Sequence, residues 1–181
     1  ASGLGFRQVE NRIYDVLKTY ANTHSKEAAM AATTSGYYAD ARDNLARCLE
    51  LDDEFALIPN GCGATAAIKN FQELLGIYIP PATLLRYNIQ IEKKDMPLVI
   101  VGPYEHHSNE VSYREALCEL QRIRLNDEGL IDLIQLEDIL KANPNRQIIG
   151  AFCVASNVTG IITPYEQISK ILRKYNAIVC F

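Results

Sequence analysis

No stretch of the 181-residue chain approaches the ~20 consecutive apolar residues that cross a bilayer, so a membrane-spanning helix is not expected. The first residues lack the basic segment and apolar run of a secretory leader, and none is expected. No Cys-x-x-Cys pair occurs. Cys48, Cys62, Cys118, Cys153 and Cys180 are odd in number and scattered, which argues against a disulfide framework or a zinc ribbon. Most of them read as small buried hydrophobes, in a reducing compartment, the cytoplasm or an organellar matrix. There is no basic excess either: 18 Lys and Arg stand against 22 Asp and Glu, a net charge of -4. That balance offers no field for a phosphate backbone, so neither nucleic acid nor a membrane surface is expected as a partner. Internal repeats and low-complexity tracts are absent.

What the chain does have is 48% hydrophobic and 22% charged residues, the balance of a globular protein able to bury a core. Val9, Ile13, Val16, Leu17 and Tyr20 recur at helical spacing. The segment 21–25 breaks the pattern, with Asn22 or Ser25 able to cap a second helix over 26–49. On that helix Tyr38, Ala41, Leu45, Cys48 and Leu49 share a face, and Gly36 could kink its middle. Beyond 52–53 the pattern alternates between short apolar runs and helical periodicity. Residues 55–58, 97–101, 147–155 and 177–181 read as buried strands, with 121–125 extended. Residues 64–75, 116–120, 136–142 and 165–175 read as helices, the first with Ala67, Ile68, Phe71, Leu74 and Leu75 inward. Apolar strands alternating with helices predict an α/β fold, a three-layer sandwich with a mostly parallel sheet behind N-terminal helices.

Ligands of such sheets bind beyond the carboxyl ends of the strands, which directs attention to three loops. Asn60-Gly-Cys-Gly-Ala-Thr65 joins an expected strand to a helix. Its glycines allow a backbone to approach an anion, and the helix N-terminus offers free N–H groups. Taken alone, a plain glycine turn capping the helix is the favoured reading, and no Walker spacing follows. Tyr104-Glu-His-His-Ser-Asn109 places two of the three histidines side by side. Adjacent histidines point apart, so a metal pair is not expected. One imidazole could stack on a flat ligand or carry a proton, or both could be ordinary loop residues. Ala155-Ser-Asn-Val-Thr-Gly160 offers the Asn157 amide to a ligand oxygen, or is an Asn turn closed by Gly160.

Taken in order, Gly63-Ala-Thr65, Glu105-His106 and Ser156-Asn157-x-x-Gly160 resemble the cofactor-binding series of fold-type I pyridoxal-phosphate enzymes, in the class V aminotransferase and cysteine desulfurase branch. Ala21-Asn-Thr-His24, Ala41-Arg42 and Asp127-Glu-Gly-Leu-Ile-Asp132 resemble further stretches of the family, and Ala1-Ser-Gly3 the tail of its opening strand motif. The resemblance implies that Ala64 and Thr65 hold the phosphate of pyridoxal 5'-phosphate. It implies that His106 stacks on the pyridine ring and that Asn157 bonds its phenolic oxygen. His24 and His107 would face an amino-acid substrate, and Cys62 matches no catalytic cysteine. It divides the chain into a helical segment, 1–50, and part of the large cofactor-binding domain, 51–181. In the family an Asp for the pyridine nitrogen and the cofactor-carrying Lys come later than Phe181. The segment is therefore expected to be inactive alone and part of a homodimeric enzyme, either a desulfurase-like lyase or an aminotransferase. The alternative is a truncated paralogue that serves as a binding or assembly module.

Overall fold

The computed structural model describes residues 4–23, 25 and 27–181. Its contacts divide the chain after Pro59 into two compact units.

The first unit holds helices α1 (Arg7–Leu17) and α2 (Ala29–Cys48). Arg12 lies 4.6 Å from the centre of the Tyr37 ring, a cation–π contact joining the two helices. The Thr34 hydroxyl accepts from Ala21 N–H at 3.1 Å and lies within donor reach of the Thr19 and Met30 carbonyls. The Ser35 hydroxyl donates to the Thr23 carbonyl at 2.6 Å, so two side chains of α2 secure the connection between the helices. Helix α2 runs unbroken through Gly36. Few apolar positions named from periodicity are covered: Val9, Ile13, Leu17, Tyr20, Leu45 and Leu49 are exposed. The expected strand at 55–58 does not form. Phe55 and Ile58 are exposed, and the Leu57 carbonyl accepts from Arg42 instead of a neighbouring strand.

The second unit contains α3 (Gly63–Leu74), α4 (Pro81–Arg86), a 3-10 turn (Lys93–Asp95) and β1 (Leu98–Val101). There follow α5 (His107–Arg114), β2 (Glu119–Arg122), α6 (Leu133–Ala142), β3 (Ile148–Ala151), α7 (Tyr165–Lys174) and β4 (Ile178–Cys180). The four strands form one parallel sheet in the order β2-β1-β3-β4. Alternation along each strand sends side chains to both faces. Leu98, Ile100 and Ile148 pack with Leu136, Leu140, Ile168 and Leu172 of α6 and α7. Val99, Val101, Ile149 and Ala151 pack with Ile77, Tyr113 and the half-buried Ile68 and Phe71 of α3. This is the expected three-layer α/β sandwich, and both faces are apolar because both are covered.

Two helices depart from expectation. The segment 107–114 is helical and the chain is already in strand at Glu119, where a helix over 116–120 and a strand over 121–125 were expected. In α3, Ala67 and Leu74 are exposed while Gln72 is 1% exposed, its amide donating to Ser112 Oγ at 2.9 Å. A polar link to α5 takes the place of part of the expected apolar face.

Candidate functional site

Strand order places the site. From β1 the chain crosses to β2 on one side, then returns to the other side of β1 for β3 and β4. The direction of winding therefore reverses between β1 and β3, and the loops leaving their carboxyl ends part there. Such a switch point is where open α/β sheets bind ligands. A cavity of about 430 Å³ lies at that position, lined by Tyr104, Glu105, His106 and His107 after β1 and by Ser156, Asn157, Val158 and Thr159 after β3. Small-molecule sites span roughly 300–1,000 Å³, so a cofactor-sized ligand fits.

Each wall is shaped by local bonds. His106 is the N-cap of α5: its Nδ1 accepts from Ser108 N–H at 3.2 Å and lies 2.7 Å from Ser108 Oγ. Because the backbone donor needs a lone pair at Nδ1, the neutral ring carries its hydrogen on Nε2, and the ring plane is held. The His107 ring lies 6.4 Å away, tilted by 50°, so the two imidazoles do point differently. On the opposite wall, Ser156 Oγ accepts from the Val158 and Thr159 N–H groups. Gly160, at φ +74, closes the turn with its N–H on the Ser156 carbonyl. Asn157 is exposed at the tip, and its side chain makes no hydrogen bond to another described residue.

Glu105 stands beneath these loops. Its Oε1 accepts from Gly102 N–H at 3.2 Å and Cys153 N–H at 3.0 Å, and its Oε2 from the Asn109 amide at 3.0 Å. Burial pushes its carboxyl above the usual range, and the three donors oppose that rise. The Cys153 thiol is also pushed up, first by burial and then by the Glu105 charge, so it is no ready nucleophile. Cys118 is pushed up to about 11 by burial. Cys48 and Cys62 are exposed and Cys118, Cys153 and Cys180 half-buried, a correction to the expectation that most of the five are buried.

The structure thus brings His106, His107 and Asn157 to one cavity. Ala64 and Thr65 do not line it. They occupy the exposed first turn of α3, whose N-cap Cys62 supplies no side-chain bond, leaving the first N–H groups unclaimed by a cap. The preceding turn depends on Gly61 (φ +43) and Gly63 (φ +70), and a Cβ at Gly61 would stand 2.6 Å from the Ala66 Cβ. His24 lies outside the described residues. Among the described residues no cluster of His, Cys, Asp or Glu could hold a metal ion. Sequence reasoning quoted Glu105 within a motif and Asn109 within a loop but gave neither a role. Their i,i+4 spacing beside a strand end was the available signal.

The family model for aminotransferase class-V matches residues 1–181. The chain belongs to this family. Its members use pyridoxal phosphate, the cofactor that the ordered motifs imply. A relative from Chlamydia muridarum, described as a probable cysteine desulfurase, is 26% identical over 179 residues, covering 92% of this chain and 43% of the relative. The fold is that of a solved NifS-like protein (TM-score 0.73, 19% identity, 98% of this chain and 45% of that one). It is also that of a NifS-like protein from Rickettsia africae (TM-score 0.65, 18% identity, 98% and 44%). The chain spans less than half the length of these relatives.

Proposed function

We propose that the cavity between the β1 and β3 loops holds the ring of pyridoxal phosphate in an enzyme acting on an amino acid. The observation that carries this reading is the convergence of His106, His107 and Asn157 on one cavity at the switch point. When bound, the cofactor supplies an electron sink for bonds broken at the substrate's α-carbon. The chain's own residues bind and orient. His106, its plane held by Ser108, presents an imidazole face to the ring. Asn157, with its amide uncommitted, bonds the phenolic oxygen. Ala64 and Thr65, at the uncapped start of α3, take the phosphate on backbone N–H groups and a hydroxyl. His107 faces the amino-acid substrate.

Removal of sulfur from cysteine is the favoured chemistry, supported by the naming of the Chlamydia relative as a probable cysteine desulfurase. The working unit is a homodimer in the cytoplasm or an organellar matrix. A second reading is a binding or assembly module.

The test is binding of pyridoxal phosphate, ATP and NAD to the full-length protein by thermal shift, with His106→Ala alongside. Stabilisation by pyridoxal phosphate, weakened about tenfold in affinity by the substitution, supports the reading. Stronger stabilisation by a nucleotide would sink it. Cofactor binding without sulfide release from cysteine would favour the module.

A further inference from the structure

The two walls of the cavity come from loops far apart in sequence, 102–107 and 152–160, and something must set their separation. Glu105 ties them, beside a weaker contact from Cys153 Sγ to the Tyr104 carbonyl at 3.6 Å. Its carboxylate spans the tips of β1 and β3 by accepting from Gly102 N–H on one side and Cys153 N–H on the other. Asn109, one turn into α5, uses both amide hydrogens to complete the tie, one to Glu105 Oε2 and one to the Ala151 carbonyl at 3.1 Å. Ser112 Oγ, on the Asn109 carbonyl, takes the Gln72 amide of α3 and extends the link to the helix bearing Ala64 and Thr65.

Gly102 fits the same design. A Cβ there would stand 2.5 Å from Glu105 Oε1 and 3.4 Å from Phe152 Cδ1, so the carboxylate reaches the backbone only because residue 102 has no side chain. Its φ is not in the left-handed region, so the requirement is for space and not for an unusual backbone conformation.

We infer that Glu105, with Asn109 and Gly102, is a positioning clamp that sets His106 against Asn157 across the cavity. This rests on the cofactor reading above. The group must accept from three donors at once, which an ionised carboxylate does and an amide does not. In Glu105→Gln the Nε2 hydrogens face an N–H group whichever way the amide is turned. The clamp then loosens while His106 and Asn157, the side chains assigned to the ring, stay chemically unchanged.

The experiment measures pyridoxal-phosphate affinity and the cofactor-band circular dichroism, which reads ring orientation, in the full-length protein. Variants are Glu105→Gln, Gly102→Ala, His106→Ala and the double variant Glu105→Gln/His106→Ala. Glu105→Gln and Gly102→Ala are each expected to weaken binding about tenfold and to alter the dichroism. If Glu105 acts through His106, the double variant binds little worse than His106→Ala alone. Gly102→Ala keeps the charge, so it carries the test if Glu105→Gln fails to fold. Unchanged affinity and dichroism in the single variants, or fully additive losses in the double, would overturn the clamp while leaving the cofactor reading intact. Wild-type protein that binds no pyridoxal phosphate would overturn both.

Discussion

Gly150 and Leu172 meet where α7 crosses β3, the strand whose following loop carries Asn157 to the cavity. An alanine Cβ at position 150 would lie 2.4 and 2.8 Å from the Leu172 methyls and 3.0 Å from Phe152 Cε2. Ordinary carbon contacts begin near ~3.5 Å, so Leu172 would have to retreat by about an ångström. It has nowhere to go, being fully buried among Ile148, Ile168 and Phe152, and Gly150 is paired on both sides, to Ile100 and Val179. Gly150→Ala is therefore expected to destabilise by about 1–3 kcal/mol through overpacking. The lower chain entropy of alanine offsets only ~0.4–1 kcal/mol of that. Leu172→Ala removes the crowding atoms but leaves a cavity, at a loss of about 2–5 kcal/mol. In the double variant the new methyl occupies vacated space, so the combined loss should fall short of the sum by about 1–2 kcal/mol. Urea unfolding of the four proteins, followed by far-ultraviolet circular dichroism at matched m-values, gives the comparison. Additivity within ~0.5 kcal/mol would refute the proposed packing of α7 on β3.

Glu110 is 8% exposed and accepts from Arg122 and Arg114, and the Arg122 hydrogen bond holds its carboxyl below the usual 4.5. A depressed folded-state value means the stabilisation is present above pH 4.5 and lost as pH falls through the lower value. Glu110→Gln should remove about 1 kcal/mol near neutrality, the half-exposed arginines limiting the effect, and should flatten acid dependence of the melting temperature. An equal acid slope in both proteins would count against it. Asn157→Ala should weaken pyridoxal-phosphate binding while leaving apo-protein melting unchanged, since the amide holds no described residue; a lowered melting point would assign it a structural role. With a thiol reagent at pH 8, Cys48 and Cys62 should label within minutes and Cys118 only on unfolding, because its thiol is half-buried and stays protonated. Peptide mapping reads this directly, and early labelling of Cys118 would contradict its placement.

Sequence alone determined the layered α/β class, because strands such as β1 and β3 are apolar on both faces and only a sheet covered twice uses that pattern. It also determined which loops to examine, because glycine, histidine and asparagine stand out at strand ends. The tertiary structure decided the rest. Helix α5 was invisible to periodicity because its buried positions are Glu110 and Tyr113, and the carboxylate is neutralised by Arg122 from the next strand. The apolar run at 55–58 looked like a strand, yet a strand needs a neighbour for its N–H and C=O groups, and Arg42 is what the fold supplies for Leu57. Above all, strand order decided the site. Parallel strands carry no local record of which neighbour they join, so only the assembled sheet could bring His106 and Asn157 across one cavity and put Glu105 between the strand tips. Those partners lie about fifty residues apart, and the hydrogen bonds that join them exist only once the sheet has closed.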